Sequence, residues 1–457
     1  MDTVTAIDPA HTDLARDLAT RGVRFALGGY IDISGRVKSK VVPIGLLPNL
    51  LAGSERYTPR GIGGLGVMTP HEDECVAIPD PASMRVVPWD ERFVWMAADL
   101  SYGGREPFAH CCRSVLRRQV DRAARAGYTM HLGVEPELYV FRPETFGRDD
   151  GYLVPPARSS ALRPTQAYDV ESALDAMEFL EPMARYLEAS GFGLFSFDTE
   201  GGDGQYEFDF AHAPVLEAAD RMAFFRLMVK QVAKQTGLVA TFMPKPYSNA
   251  WGSGHHFNIS LTDDAGTNLF RDDGGPGAGW TKTAYAFVAG ILRHAPAIAA
   301  VATPTVNSYK RLVPRLGDGS VSWAPVWAAY GDNNRSCMIR LPRNRPCVEN
   351  RAVDSAANTY VAAAFMLAAG LEGIEEGLDP GEPFDGLAYD RHAPRAGTTR
   401  LPRTLLEAID AFADDPLTHE VFPERFVTDY VDMKRSEWDD FHSHVSAWER
   451  ERYLLAF

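Results

Sequence analysis

The stretch His131-Leu-Gly-Val-Glu135-Pro-Glu137-Leu-Tyr-Val-Phe141 is an apolar run carrying two acids spaced two apart. In an extended strand, residues two apart point to the same face. Glu135 and Glu137 therefore project together. Parallel carboxylates on a half-buried face repel one another unless a cation lies between them, and hard divalent cations prefer carboxylate oxygens. A solvent-facing pair on an edge strand satisfies the same pattern. Downstream, strands and helices alternate. Residues 170–191 (VESALDAMEFLEPMARYLEASG) read as a helix, and 194–200 (LFSFDTE) with 204–210 (GQYEFDF) as a strand pair about a Gly-rich turn. Residues 255–261 (HHFNISL) read as another strand, and the chain from about Leu401 as mostly helical. Upstream, 111–127 (CCRSVLRRQVDRAARAG) is an amphipathic helix closing on Gly127, which suits a left-handed helix end. The character changes around Arg105–His110. From Gly22 to Asp99 short β-like runs dominate; VRFALGGYIDISG and VKSKVVPI suit paired strands, and Ser54 to Met84 suits long loops. A small β-rich N-terminal domain followed by a large α+β domain is expected.

The chain has 457 residues and a formal net charge of −15. That charge disfavours sequence-independent nucleic-acid binding and docking on anionic membranes, so no nucleic acid and no membrane is expected as a partner. It leaves room for a locally basic cleft that takes an anionic substrate. The five cysteines are odd in number and form no C-x-x-C pair, which fits reduced, buried thiols and a cytoplasmic chain. The N-terminus lacks a basic-then-apolar signal pattern. The apolar run Tyr360–Leu371 is too short to span a bilayer.

Further candidates follow in chain order. Gly61, Gly63 and Gly66 satisfy G-x-G-x-x-G, but Pro59 and Pro70 leave no helix to run from them, so no dinucleotide site is expected there. Glu200-Gly-Gly-Asp-Gly-Gln-Tyr-Glu207 places two acids about a turn, as an acidic hairpin tip or as a site. Gly252-Ser-Gly-His-His256-Phe-Asn258-Ile-Ser260 puts His256, Asn258 and Ser260 on one strand face, with His255 on the other in a structural position. Arg311, Arg335, Arg340 and Arg351 are guanidinium forks suited to carboxylate or phosphate, or to surface ion pairs.

Taken in order, G-x-E-x-E, E-x-x-x-G-Q-x-E, F-M-P-K-P, G-S-G-x-H, N-S-Y-K-R-L, N-R-S, I-R-x-P and E-x-R-x-x-D-x-A-A-N-x-Y resemble the glutamine synthetase family over nearly the whole chain. The resemblance implies a β-grasp domain over 1–106 and a catalytic α+β domain with a curved antiparallel sheet over 107–457. It implies an ATP-dependent ligase that joins the glutamate side-chain carboxylate to an amine through an acyl phosphate. Two divalent ions, Mg2+ or Mn2+, are implied: Glu137, Glu200 and Glu207 would hold the one beside glutamate, and Glu135, His256 and Glu349 the one beside the ATP phosphates. Arg311 and Arg351 would clamp L-glutamate with the Gly252 backbone. Arg335 and Arg340 would hold phosphates, and Asn258 and Ser260 would lie on the nucleotide strand. Family members assemble as homo-oligomers of stacked rings with sites between subunits.

The departures from the pattern concern the amine. Ammonia-using members carry an acid in F-D-G-S-S, where this chain has Tyr57-Thr58-Pro59-Arg60-Gly61. They also carry a flap glutamate in G-x-E-A-P, where Trp323 stands in the longer Val313–Pro325 segment. Tryptophan offers apolar area and a face for an alkylammonium. Family branches that make γ-glutamylmethylamide resemble this variant, so methylamine or another small primary amine is expected. Ammonia is the alternative, with Glu55, Asp73 or Asp318 replacing the lost acids. A non-catalytic oligomer of the same fold would have lost metal ligands, and all six are present. Tyr389 resembles a loop tyrosine that some members have adenylylated, and an exposed loop position is expected for it.

Overall fold

The computed structural model describes residues 8–58, 74–102, 106–147, 155, 167–248, 250–271, 279–317, 319–389 and 397–457. A helix, Pro9–Thr20, opens the chain, capped by the Asp8 carboxylate on the Ala10 amide. Eight strands then form the first sheet: β1 (Phe25–Ile31), β2 (Val37–Lys38), β3 (Val41–Pro43), β4 (Arg56–Tyr57), β5 (Cys75–Pro79), β6 (Arg85–Val86), β7 (Phe93–Tyr102) and β8 (Glu106–Pro107). The parallel pair β1–β7 is its centre, and the remaining strands add antiparallel.

Nine strands form the second sheet: β9 (Thr129–Phe141), β10 (Leu194–Thr199), β11 (Gln205–Phe210), β12 (Ala213–Pro214), β13 (Val239–Thr241), β14 (His255–Thr262), β15 (Tyr330–Asp332), β16 (Ile339–Leu341) and β17 (Val348–Asn350). The order β10-β11-β9-β14-β17-β16-β15 is antiparallel except between β15 and β16. At 13 residues β9 is the longest strand and pairs with four others. The fold is α+β with an antiparallel catalytic-side sheet, as expected.

Helices cover the sheets. Thr359–Glu376, holding the apolar run, is almost wholly buried and packs against Lys282–Arg293 and Cys112–Arg125. Glycine makes that approach possible: a Cβ on Gly290 would lie 1.9 Å from Ala369 O, and one on Gly370 2.1 Å from the Phe287 ring. The two sheets share one core, with Trp95 of β7 5.3 Å from Phe224 of the Val215–Gln235 helix. Arg113 is buried among Asp80, Asp99 and Asp220 at 2.6–2.9 Å, and Tyr360 Oη donates to Asp220. Acids from the first sheet and from the helices thus close on one guanidinium.

Several expectations need correction. The loop-like 54–84 stretch contains β4 and β5, because Cys75, Val76 and Ala77 are buried residues that complete the first sheet. The 170–191 helix breaks at Ala176 into Val170–Asp175 and Met177–Ala189, which turns Phe179, Leu180, Met183 and Leu187 into the core. Tyr389 is buried beside Val326 and Trp327, not exposed. All five cysteines are free and buried. Gly61, Gly63, Gly66, Asp73 and Asp318 lie outside the described residues. No single helix among the described residues is long and apolar enough to cross a membrane.

Candidate active site

Strand register decides which side chains face one another. Glu137 of β9 lies opposite Glu207 of β11, and Glu207 lies opposite Asp198 of β10. Glu135 lies opposite His256 of β14. Asn258 lies opposite Glu349 of β17, which lies opposite Arg340 of β16. Directly opposed residues share a face, so six strands contribute to one acidic face. Glu200 joins it from the turn after β10. There Gln205 donates from its Nε2 to Glu137 Oε2 at 2.9 Å and to Gly252 O at 3.2 Å, binding turn, metal-type strand and glycine segment together.

The face opens into a cavity of about 330 Å3 lined by Glu135, Glu137, Glu200, Glu207 and His256. Gly252, Arg311, Arg335 and Arg351 line its other side with Tyr168, Trp251 and Trp323. Arg311 is fixed by donating to Ala352 O (2.9 Å) and Arg351 O (3.0 Å). A Cβ on Gly252 would meet Arg311 Cγ at 2.6 Å, so glycine is required for this approach. Glu135 also borders a second cavity of about 590 Å3 with Asn258, Ser260, Phe195 and Arg345. The sequence-expected residues therefore fall around two adjoining cavities, with Arg340 just beneath on Glu349.

The charges separate into two groups. Glu349 accepts from Arg340 Nη1 and Arg351 Nη1, each at 2.6 Å. Glu135 accepts from Asn258 Nδ2 (3.0 Å) and Arg345 Nη2 (2.8 Å), with His256 Nδ1 at 3.3 Å. Burial raises both carboxyls, but His256 and Arg345 outweigh it at Glu135, and chiefly Arg351 outweighs it at Glu349. Both are held below the ordinary range. No ion pair reaches Glu200 or Glu207 among the described residues. Burial and then Glu137 push Glu200 up to about 8, and burial with Glu137 and Glu135 pushes Glu207 well above its ordinary value. Asp198 rises to about 6 through burial and Asp209.

Crowded, uncompensated carboxyls are the donor set that a hard divalent cation satisfies. Donor atoms of Glu135, Glu207 and His256 lie within 4.8 Å of one another, as do those of Asp198, Glu200 and Glu207. These groups cut across the two expected ligand sets, sharing Glu207, and Asp198 is an addition to them. The residues present fit divalent metal.

All three described non-glycine residues with positive φ border this region: Tyr168 (65°), Trp323 (60°) and Asn333 (52°), the last accepting from Arg340. Strained backbone gathers where surrounding structure holds a side chain in a required place.

A profile of the glutamine synthetase catalytic domain matches residues 109–453. The glutamate–methylamine ligase of Methyloversatilis universalis is 34% identical over 95% of this chain and 97% of its own. The glutamine synthetase of Rhizobium leguminosarum bv. phaseoli is 33% identical over 97% and 99%. A solved GmaS complex with ADP superposes with a TM-score of 0.87 at 35% identity, covering 97% of this chain and 99% of that one.

The chain belongs to the glutamine synthetase family. It is an ATP-dependent carboxylate–amine ligase, and members of the family use ATP and divalent metal.

Within that family fold, sequence reading missed Asp198, Gln205, Arg345 and Trp251. Gln205 stood inside the E-x-x-x-G-Q-x-E motif without a role. Asp198 becomes visible only through its register with Glu207. Asn258 is placed to orient Glu135 as well as to line the second cavity. His255 is fully buried and edge-on to Phe257 at 5.0 Å, a core position.

Proposed function

We propose that this enzyme joins the side-chain carboxylate of L-glutamate to methylamine or another small primary amine, through γ-glutamyl phosphate, releasing ADP and phosphate. Trp323 carries the reading. It lines the acidic cavity, is 42% exposed, and holds a left-handed backbone conformation with its ring 6.1 Å from Trp251. Two indole faces beside carboxylates suit a cation bearing an alkyl group better than small, strongly hydrated ammonium. In this reading Arg311, Arg351 and the Gly252 backbone orient glutamate. Arg335 and Arg340 neutralise charge on the phosphoryl group in transfer. Asn258 and Ser260 line the nucleotide cavity. Glu135, Glu137, Glu200, Glu207, His256 and Glu349 hold two Mg2+ or Mn2+ ions, which when bound would polarise phosphoryl oxygens. The protein works in the cytoplasm as stacked rings with sites between subunits, each chain dividing near residues 106 and 107.

The test is phosphate release with glutamate, ATP and Mg2+ or Mn2+, supplying ammonia, methylamine, ethylamine, ethanolamine, putrescine and aniline in turn and comparing kcat/KM. A substituted amine exceeding ammonia by about tenfold, roughly 1.4 kcal/mol of transition-state discrimination, supports the proposal. Ammonia in first place makes this a glutamine synthetase, the reading favoured by relatives of that name at 32–34% identity.

A further inference from the structure

A cavity of about 520 Å3 lies between the Asp32–Lys38 turn, the Val215–Gln235 helix and the Glu424–Ser443 helix, and it shares no lining residue with the acidic cavity. Arg36, Lys38, Arg226, Lys230 and Lys434 line it. Two of these are paired: Lys38 Nζ is 3.8 Å from Asp32, and Lys434 Nζ is 2.8 Å from Glu437. Among the described residues no carboxylate lies within ion-pair distance of Arg36, Arg226 or Lys230. Asp32 acts on Arg36 only through space: its Oδ1 accepts from the backbone amides of Ser34 and Arg36, and its Oδ2 faces Lys38.

Arg226 shows the cost most plainly. Its Nη2 donates to Ser355 O (2.7 Å) and Ala357 O (2.6 Å), both neutral acceptors, and its Nε is buried without a partner. Asp354 and Asp32 act on this guanidinium only from beyond ion-pair distance, and its Cζ lies 5.5 Å from the Phe242 ring centroid, so its charge is only partly compensated. Burial draws it down to about 10, and Lys230 is also lowered, by burial and then by Arg36 and Arg226. In a chain of net charge −15, three cations without an ion-paired carboxylate border one cavity, Arg226 partly buried and Arg36 and Lys230 open to solvent. Its remaining wall is mixed: Val37, Phe242, Val301 and Pro304 supply an apolar part, Thr241, Thr305 and Asn358 are polar, and Glu437, the partner of Lys434, is the one carboxylate among the lining residues.

We propose that this cavity is a second ligand site, for a small metabolite carrying two or more negative charges on a short carbon skeleton. The Arg36 fork, the remaining amino group of Arg226 and the Lys230 ammonium match carboxylates or a phosphate ester, and the apolar part of the wall takes the carbon. The cavity is also joined to the acidic face. Ser355, whose carbonyl holds Arg226, donates its hydroxyl to Glu137 O and, at 2.7 Å, to Gly254 O.

The experiment is calorimetric titration of the full-length assembled enzyme, with glutamate and a non-hydrolysable ATP analogue saturating the acidic cavity. Succinate is the probe in one arm and glycerol 3-phosphate in the other, with Lys230→Glu and Arg36→Gln run alongside and checked by thermal melting for folding. At least one probe should bind saturably, with affinity falling about tenfold or more in each folded variant. Binding of succinate alone assigns carboxylates, and of glycerol 3-phosphate alone a phosphate ester. Flat titrations with both probes overturn the proposal, as does affinity that is the same in the wild type and the variants.

Discussion

At the scale of single residues, the site is a set of atoms held by neighbours that do no chemistry. Arg311 reaches its place because Ala352 O and Arg351 O fix its fork. Lysine cannot make both bonds and still face the cavity. Charge-assisted hydrogen bonds contribute about 1.5–3 kcal/mol, so Arg311→Lys is expected to raise the KM for glutamate by about tenfold to a hundredfold with the fold intact, measured by steady-state kinetics and circular dichroism. Trp323→Glu should move kcat/KM toward ammonia and away from methylamine. An unchanged amine preference would remove Trp323 from the list of determinants. Much of this scale was legible in the sequence, since the motif residues at the two cavities were singled out by their chemistry and assigned roles by the resemblance of the ordered motifs to a known family. Gln205, Asp198 and Arg345 were not, because their roles arise from partners far along the chain (Glu137, 68 positions from Gln205, and Glu135 for Arg345) or on another strand (Glu207 for Asp198), to which local patterns are blind.

At the scale of elements, two glycine clusters do opposite work. Gly254 precedes β14, and a Cβ there would come within 2.7–2.9 Å of His256 Nε2, Glu137 Oε1 and Arg311 Nη2. Gly254→Ala should therefore melt near the wild-type temperature yet lose nearly all turnover, as differential scanning calorimetry beside an activity assay will show. Gly370 instead receives the Phe287 ring between two helices. Overpacking of this kind costs typically about 1–3 kcal/mol, so Gly370→Ala should lower the unfolding midpoint while the KM values of the surviving enzyme stay close to normal. The strand over residues 131–141 was readable from alternation, and the 111–127 helix from its apolar face and closing glycine. Strand β5 was not, because a short buried strand rich in neighbouring proline and glycine carries the local signature of a loop.

At the scale of the whole molecule, the acidic face makes stability depend on metal and pH together. Glu200 and Glu207 have folded-state pKa values raised above the unfolded value, Glu200 to about 8. Between the ordinary carboxyl range and that value the folded state binds more protons than the unfolded state, so stability falls as pH rises through the window. Metal-free enzyme should lose melting temperature from about pH 5 to pH 8, and Mg2+ or Mn2+ should restore it most at the upper end, where carboxyls surrender protons to bind the ion. Scanning calorimetry with and without chelator across that range checks the sign; a metal effect largest at low pH would contradict it.

The sequence by itself determined the α+β class, the strand bearing Glu135 and Glu137, and an ordered series of motifs whose residues belong around one site. The class and the strand follow from two-residue and 3.6-residue periodicity, which are local properties; the placing of the motif residues around one site followed from the resemblance of the ordered series to a known family. Only the tertiary structure decided that Glu207 shares donors with both metal-type groups and that Arg340, Arg345 and Arg351 divide the acids into compensated and uncompensated sets. It also brought Arg36, Arg226 and Lys230 to one cavity and buried Tyr389. Each of these depends on strand register or on helices meeting across the core, and register sets contacts between residues whose separation along the chain carries no signal of their approach.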